Sequence, residues 1–203
     1  MEYVIEDIDA AELARRRAIY VPLTEAVRDL IDATIRTEVD DTVITQVRDE
    51  IAAATAKLRV KQIVGSYGLR KTPVGDSVSW GNVAVGLRNA IAPPIMVESS
   101  PDGLHWAELT LGAAYEGPTG LVHGGIGALI LDHVLGATAK SVAPSFTGTL
   151  TLRYRRGTPL GTLRAEARVD RTERRKVIVT GTLSDADGVT IEAEGIFIRP
   201  ETS

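Results

Sequence analysis

Cysteine is missing from all 203 residues, which removes disulfides, thiolate metal sites and a cysteine nucleophile from consideration. Histidine is scarce. His105, His123 and His133 are the only three, none falls in a HExxH or paired-His spacing, and no dedicated zinc site is expected. Aromatic residues make up 4% of the chain, and positive charge is not in surplus: the formal net charge is −4. That balance argues against a generic nucleic-acid binder, which relies on a basic footprint to neutralise phosphates. The N-terminal MEYVIEDIDAAELARRR has no apolar stretch like that of a secretory signal. No run approaches the roughly 20 predominantly apolar residues of a membrane span, so the expectation is a cytoplasmic protein with no membrane span.

With 44% hydrophobic and 25% charged residues, the composition is that of an ordinary globular chain. Its length suits one well-filled core and is marginal for two. One main domain over residues 81–203, preceded by a helical extension and connector over 1–80, is the expected organisation.

The informative stretch is Tyr115 to Lys140, YEGPTGLVHGGIGALILDHVLGATAK. A turn built from Gly117, Pro118 and Gly120 leads through His123, Gly124 and Gly125 into an apolar run broken only by Asp132 and His133. Ile126, Ala128, Leu129, Ile130, Leu131, Val134, Leu135 and Ala137 point in almost every direction around a helical period, which predicts a buried helix with no solvated face. An ionised carboxylate inside it costs several kcal/mol unless paired or hydrogen-bonded. Asp132 is therefore either a satisfied core residue or a functional group. Gly124 and Gly125 favour the second reading, because two glycines in a first helical turn leave backbone N–H groups uncovered at the positive helix end. Together they suggest an oxyanion site beside a general base.

From His123 to Asp132 is nine residues, a rise of about 13 Å along a helix, so one helix cannot bring both ends to one carbonyl. The simplest solution is a two-fold dimer whose antiparallel helices each supply what the other lacks.

Elsewhere, Asp9 and Glu12 form a capping-box pattern flanked by Ile8 and Leu13, predicting a short helix over about residues 10–18. Thr24 is placed to open a second helix, and Asp41 a third carrying Val43, Val47, Ile51, Ala54 and Leu58 on one face. Residues 61–94 read as an irregular connector. After Pro93 and Pro94 come a strand over Ile95–Glu98, a turn at Ser99–Gly103 and a strand over His105–Ala114, with His105 read as solvated or capping. Beyond the helix, alternation predicts strands through Leu150–Tyr154 and Leu163–Val169, then Val177–Leu183 and Val189–Ile198. An antiparallel sheet curled around one helix accommodates that order, an α+β fold.

That order, together with EGPTGLVHGG and Asp132, resembles the hotdog-fold acyl-CoA thioesterases over roughly residues 92–199. Within them it is similar to the phenylacetate-pathway and THEM branch. The resemblance implies hydrolysis of an acyl-CoA to free acid and CoA. The Gly124 amide would polarise the carbonyl, and Asp132 of the paired subunit would act as base or nucleophile. It further implies that His123 orients the helix start, and that Thr147, with Thr149 as the alternative, positions the water. Several family members carry Asn where this chain has Gly117, so no amide side chain is supplied there. Gly117 and Gly125 are expected beside the substrate. Arg155 and Arg156, with Arg153 and the Arg171–Lys176 tip, are candidates for the CoA phosphates. No cofactor is implied beyond coenzyme A as part of the substrate, and the expected assembly is a homodimer paired again into a homotetramer. The competing reading is a hotdog module that binds an acyl-CoA or lipid without turnover. Hotdog dehydratase chemistry ranks last, because the paired His and acid it needs are not found.

Overall fold

The computed structural model of the chain describes residues 4–93 and 95–201. Pro94, which marks the end of the expected connector, lies outside the described residues. The chain divides into two compact units, Met1–Asn82 with Gly86–Ala90, and Val83–Val85 with Ile91–Ser203.

In the first unit, helix α1 (Ala10–Arg36) starts where the Asp9 carboxylate accepts the Glu12 N–H at 2.8 Å. Two helices were expected here, but α1 runs unbroken through Pro22. The proline lacks the N–H that the Ala18 carbonyl would have received. Thr24 opens nothing; its hydroxyl donates back to the Tyr20 carbonyl at 2.9 Å, a bond that helical threonines make within their own turn. Helix α2 (Asp41–Arg59) is capped by Asp40, which accepts from the Thr42 and Val43 N–H groups, and none of its residues is buried. Strands β1 (Val4–Ile5) and β2 (Arg70–Lys71) pair in parallel.

The connector is more ordered than its composition suggested. Val78 and Trp80 bury themselves against Leu13, with Ile8, Tyr20, Tyr67 and Leu87 packed around them. Glu6 ties the cluster's rim by accepting from Arg16 at 2.8 Å and Arg70 at 2.6 Å.

The second unit holds strands β3 (Glu98–Ser99) and β4 (His105–Leu111), a short 3-10 turn over Ala113–Tyr115, helix α3 (Gly124–Val142), and strands β5 (Phe146–Tyr154), β6 (Gly161–Glu173), β7 (Lys176–Asp185) and β8 (Gly188–Ile198). The strands form one antiparallel six-stranded sheet in the order β3-β4-β6-β7-β8-β5. The strand expected over Ile95–Glu98 is reduced to Glu98–Ser99, because Ile95 turns into the core instead. His105 is not solvated: it is half-covered, and its Nδ1 is buried without a partner among the described residues.

Alternation decides which face of the sheet meets α3. Ala107, Leu109 and Leu111 of β4, Leu163, Ala165 and Ala167 of β6, and Ile191, Ala193 and Phe197 of β8 are buried in one core with Ile130, Leu131, Val134 and Leu135. Glycine permits the closest approach, since a Cβ at Gly181 would stand 2.7 Å from Leu135 Cδ1 and 2.5 Å from the Glu166 carbonyl oxygen. Yet α3 is not enclosed all round as its composition predicted. Leu129, Asp132, His133, Gly136 and Ala137 remain only half-covered, because a single sheet covers one side of a cylinder.

Strand β5 lies at the end of the sheet, bonded to β8 alone. Opposite Phe197 stands Thr147 and opposite Ile196 stands Thr149, so Gly148 between them is the extra residue of a β-bulge. Phe197 faces the helix and Ile196, one residue away, faces the other side. The bulge therefore puts Thr147 on the helix face and Thr149 on the opposite one.

Candidate functional site

Helix α3 begins with an N-cap made by a histidine. The His123 Nδ1 accepts the Gly125 N–H at 3.0 Å, which in a neutral ring leaves the proton on Nε2. This capping bond consumes the Gly125 amide, expected beside the substrate, in holding the helix start. The Gly124 N–H receives no protein acceptor among the described residues. It projects from the positive end of the helix, where an anionic oxygen is favoured.

Two residues fix the backbone around that amide. A Cβ at Gly117 would lie 2.8 Å from the His123 Cα, so glycine there lets the turn press against the cap. Tyr154, at the end of β5, donates its hydroxyl to the Gly124 carbonyl at 2.9 Å, and its ring atoms lie 3.3–3.4 Å from where a Gly124 Cβ would stand. Sequence reading took Tyr154 only as the end of an alternating strand. The signal was an aromatic closing an alternating strand, with nothing to reveal a partner thirty residues away.

These groups line a cavity of about 270 Å³ that includes His123, Gly124, Gly127, Tyr154, Arg156 and Ile191. Arg156 is held at its edge by Asp185, with Nη1 donating at 2.7 Å, and by the Gly188 carbonyl at 2.9 Å. Hydrogen bonding from Arg156 lowers the Asp185 carboxyl to about 2, so the pair stays charged throughout the neutral range. Arg155 does not line this cavity; it pairs with Glu192 at 2.6 Å.

Asp132 lies two turns along α3 and outside the cavity. The Thr147 hydroxyl donates to its Oδ1 at 2.9 Å, which leaves the second carboxylate oxygen available. Thr149, on the far side of the sheet, makes no such bond. Next to Asp132, burial lowers the pKa of His133, assisted by the positive charge of Lys140, while Asp132 opposes the shift. His133 is therefore neutral at pH 7.

The chain thus holds two separate groups: a free amide with a cavity at the start of α3, and a carboxylate with a hydroxyl two turns later. Among the described residues, no group of histidines and carboxylates could hold a metal ion, and no helix is long and apolar enough to cross a membrane.

Residues 119–192 match the family model described as thioesterase superfamily. The crystal structure of a thioesterase superfamily protein superposes with a TM-score of 0.80 at 30% identity, covering 97% of this chain and 95% of that one. This chain belongs to the thioesterase superfamily. Its sheet wrapped on a central helix is the hotdog fold of that superfamily, and the chemistry of the superfamily is thioester hydrolysis. The mouse acyl-coenzyme A thioesterase THEM4 is 32% identical over 91 residues, a match spanning 43% of this chain and 40% of the mouse protein. The Bacillus halodurans protein BH2602, crystallised with CoA, shares the fold at 24% identity and a TM-score of 0.50, over 56% of this chain and 78% of that one.

Proposed function

We propose that this superfamily member hydrolyses acyl-CoA thioesters at sites built by two copies of the chain. The observation that carries the reading is the division of α3 into a free Gly124 amide and a remote Asp132–Thr147 pair. Eight residues of helix between them amount to about 12 Å, too far for one carbonyl group to meet both. The half-covered face of α3 and the unpaired outer edge of β5 supply a surface on which a second copy can bring its Asp132 to the first copy's Gly124. An exposed strand edge is a ready template for such pairing.

In this arrangement Asp132, its Oδ1 held by Thr147, takes a proton from a water whose oxygen adds to the thioester carbonyl carbon. The carbonyl oxygen becomes negative and is held by the Gly124 N–H at the helix start, a contact worth about 3 kcal/mol of barrier where such donors have been removed. Collapse breaks the C–S bond, the CoA thiolate leaves and recovers the proton from Asp132, and the acid is released. His123 and Tyr154 keep the amide aimed by fixing the cap and the Gly124 carbonyl. Arg156, which lines the cavity, would meet a phosphate of the CoA moiety.

The test is complementation with acyl-CoA as substrate. Asp132→Asn removes the base and is expected to lower kcat by about 10²–10⁴-fold. Gly124→Pro removes the donor while keeping a residue suited to the first helical position, and His123, at φ −60° and ψ 132°, already has the backbone a following proline requires. Each variant alone should be nearly inactive, whereas the mixed dimer contains one intact site and regains activity. Failure to regain it in demonstrated mixed dimers would refute sites shared between copies. Isotope from labelled water appearing in Asp132 after a single turnover would replace the base role by direct carboxylate attack.

A further inference from the structure

Helix α2 carries an apolar stripe that nothing in its own unit buries. Val43, Val47, Ile51, Ala54 and Leu58 recur at spacings of three and four residues, and so share one face. Val43, Val47 and Ile51 remain 36–37% exposed and Leu58 57%. Helices in proteins draw most of their stability from packing of an amphipathic face, and an amphipathic stripe of this kind marks a surface meant for another apolar surface.

The charges around the stripe specify the occupant. Residues 40–50 hold Asp40, Asp41, Asp49 and Glu50 against the single Arg48, while residues 51–61 hold Lys57, Arg59 and Lys61 with no acid. The first half is thus net −3 and the second net +3. A helix so divided is complementary to its own reverse.

We propose that α2 is a self-association element that pairs antiparallel with α2 of a second copy of this chain. In the register that stacks the stripes, Val43 lies against the partner's Leu58 and Val47 against the partner's Ala54, whose small side chain lets the backbones approach. The two-fold axis passes between Glu50 and Ile51. Each negative half then lies along a positive one, with the helix dipoles opposed. This contact uses a different element from the α3 and β5 surfaces of the proposed catalytic pairing.

Absence of cysteine from the chain makes the test direct. Ile51→Cys, beside the axis, is expected to give a disulfide-linked dimer under mild oxidation of the full chain, whereas Ala56→Cys, on the opposite face of α2, should not. Val43→Cys alone should not link to itself, but Val43→Cys with Leu58→Cys in one chain should. Adding Val47→Glu and Leu58→Glu to the Ile51→Cys chain is expected to abolish that link. Linking no better at Ile51 than at Ala56, or a link that survives the two glutamates, would overturn the pairing. Ready self-linking at Val43 would overturn its antiparallel sense. The cross-links are read on intact folded protein, so they stand even if the glutamate variant fails to fold, and neither readout depends on thioester hydrolysis.

Discussion

Helices α2 and α3 are both 19 residues long, and they meet opposite fates. Helix α3 is apolar on nearly every side and buries Gly127, Ile130, Leu131, Val134, Leu135, Thr138 and Ala139. Helix α2 is amphipathic and buries none. In α3 the sheet consumes one face, and what is left over contains Asp132. In α2 the whole stripe is left over. The contrast shows that apolar content alone does not tell how much of a helix its own chain will cover. Coverage depends on how many layers the chain supplies, and one sheet supplies one.

The contrast breaks most visibly at core positions. Leu135→Ala deletes a fully buried side chain and is expected to destabilise the fold by about 2–5 kcal/mol, measured by urea denaturation. Ile51→Ala in α2 should leave the denaturation of dilute protein within about 0.5 kcal/mol. Comparable losses at the two positions would mean that α2 is packed within its own chain.

Next in size is Tyr154→Phe, which deletes the hydroxyl that holds the Gly124 carbonyl at 2.9 Å. The expected cost is about 1 kcal/mol of stability, read by thermal melting. A fall in kcat that exceeds any rise in KM would mark Tyr154 as a positioning residue, whereas a stability loss with intact kcat would leave it purely structural.

The smallest effect belongs to His133 on the half-covered face of α3. Its pKa is lowered in the folded chain, first by burial and then by Lys140. The unfolded chain therefore binds the proton more readily. Its contribution to stability is complete above the ordinary histidine pKa of 6.5 and is lost as pH falls through the folded value. Melting temperature is expected to drop as pH is lowered from 7.5 toward 5.5, and His133→Asn to flatten that dependence. A second copy covering this face should steepen it.

Much of the hotdog unit was legible because its sheet faces one partner. Leu163, Ala165 and Ala167 alternate cleanly with Arg164, Glu166 and Arg168 since only one side meets α3. Asp9 was legible as a cap because capping is local, whereas the third helix was expected to open at Asp41 and is capped one residue earlier by Asp40. Contacts between distant residues were not. Leu13, Tyr67, Val78 and Trp80 form a cluster from segments that carry no shared period, so the connector looked structureless. Thr24 looked like a helix start because its hydroxyl suits a cap, whereas a threonine can also satisfy itself within a turn. Of the site, the helix start and Asp132 could be read from their spacing and the resemblance. The Tyr154 bond and the diversion of the Gly125 amide to His123 required coordinates.

The bulge at Gly148 has a consequence for reading relatives of this chain. An inserted residue that is tucked out of the ladder leaves the hydroxyl before it facing the carboxylate and the hydroxyl after it facing away. A strand one residue shorter, without the bulge, would present the same two faces. Relatives can therefore differ in length at this point while keeping the same two faces, and matching them by counting back from the following strand would pair Thr149, rather than Thr147, with the residue that faces the helix.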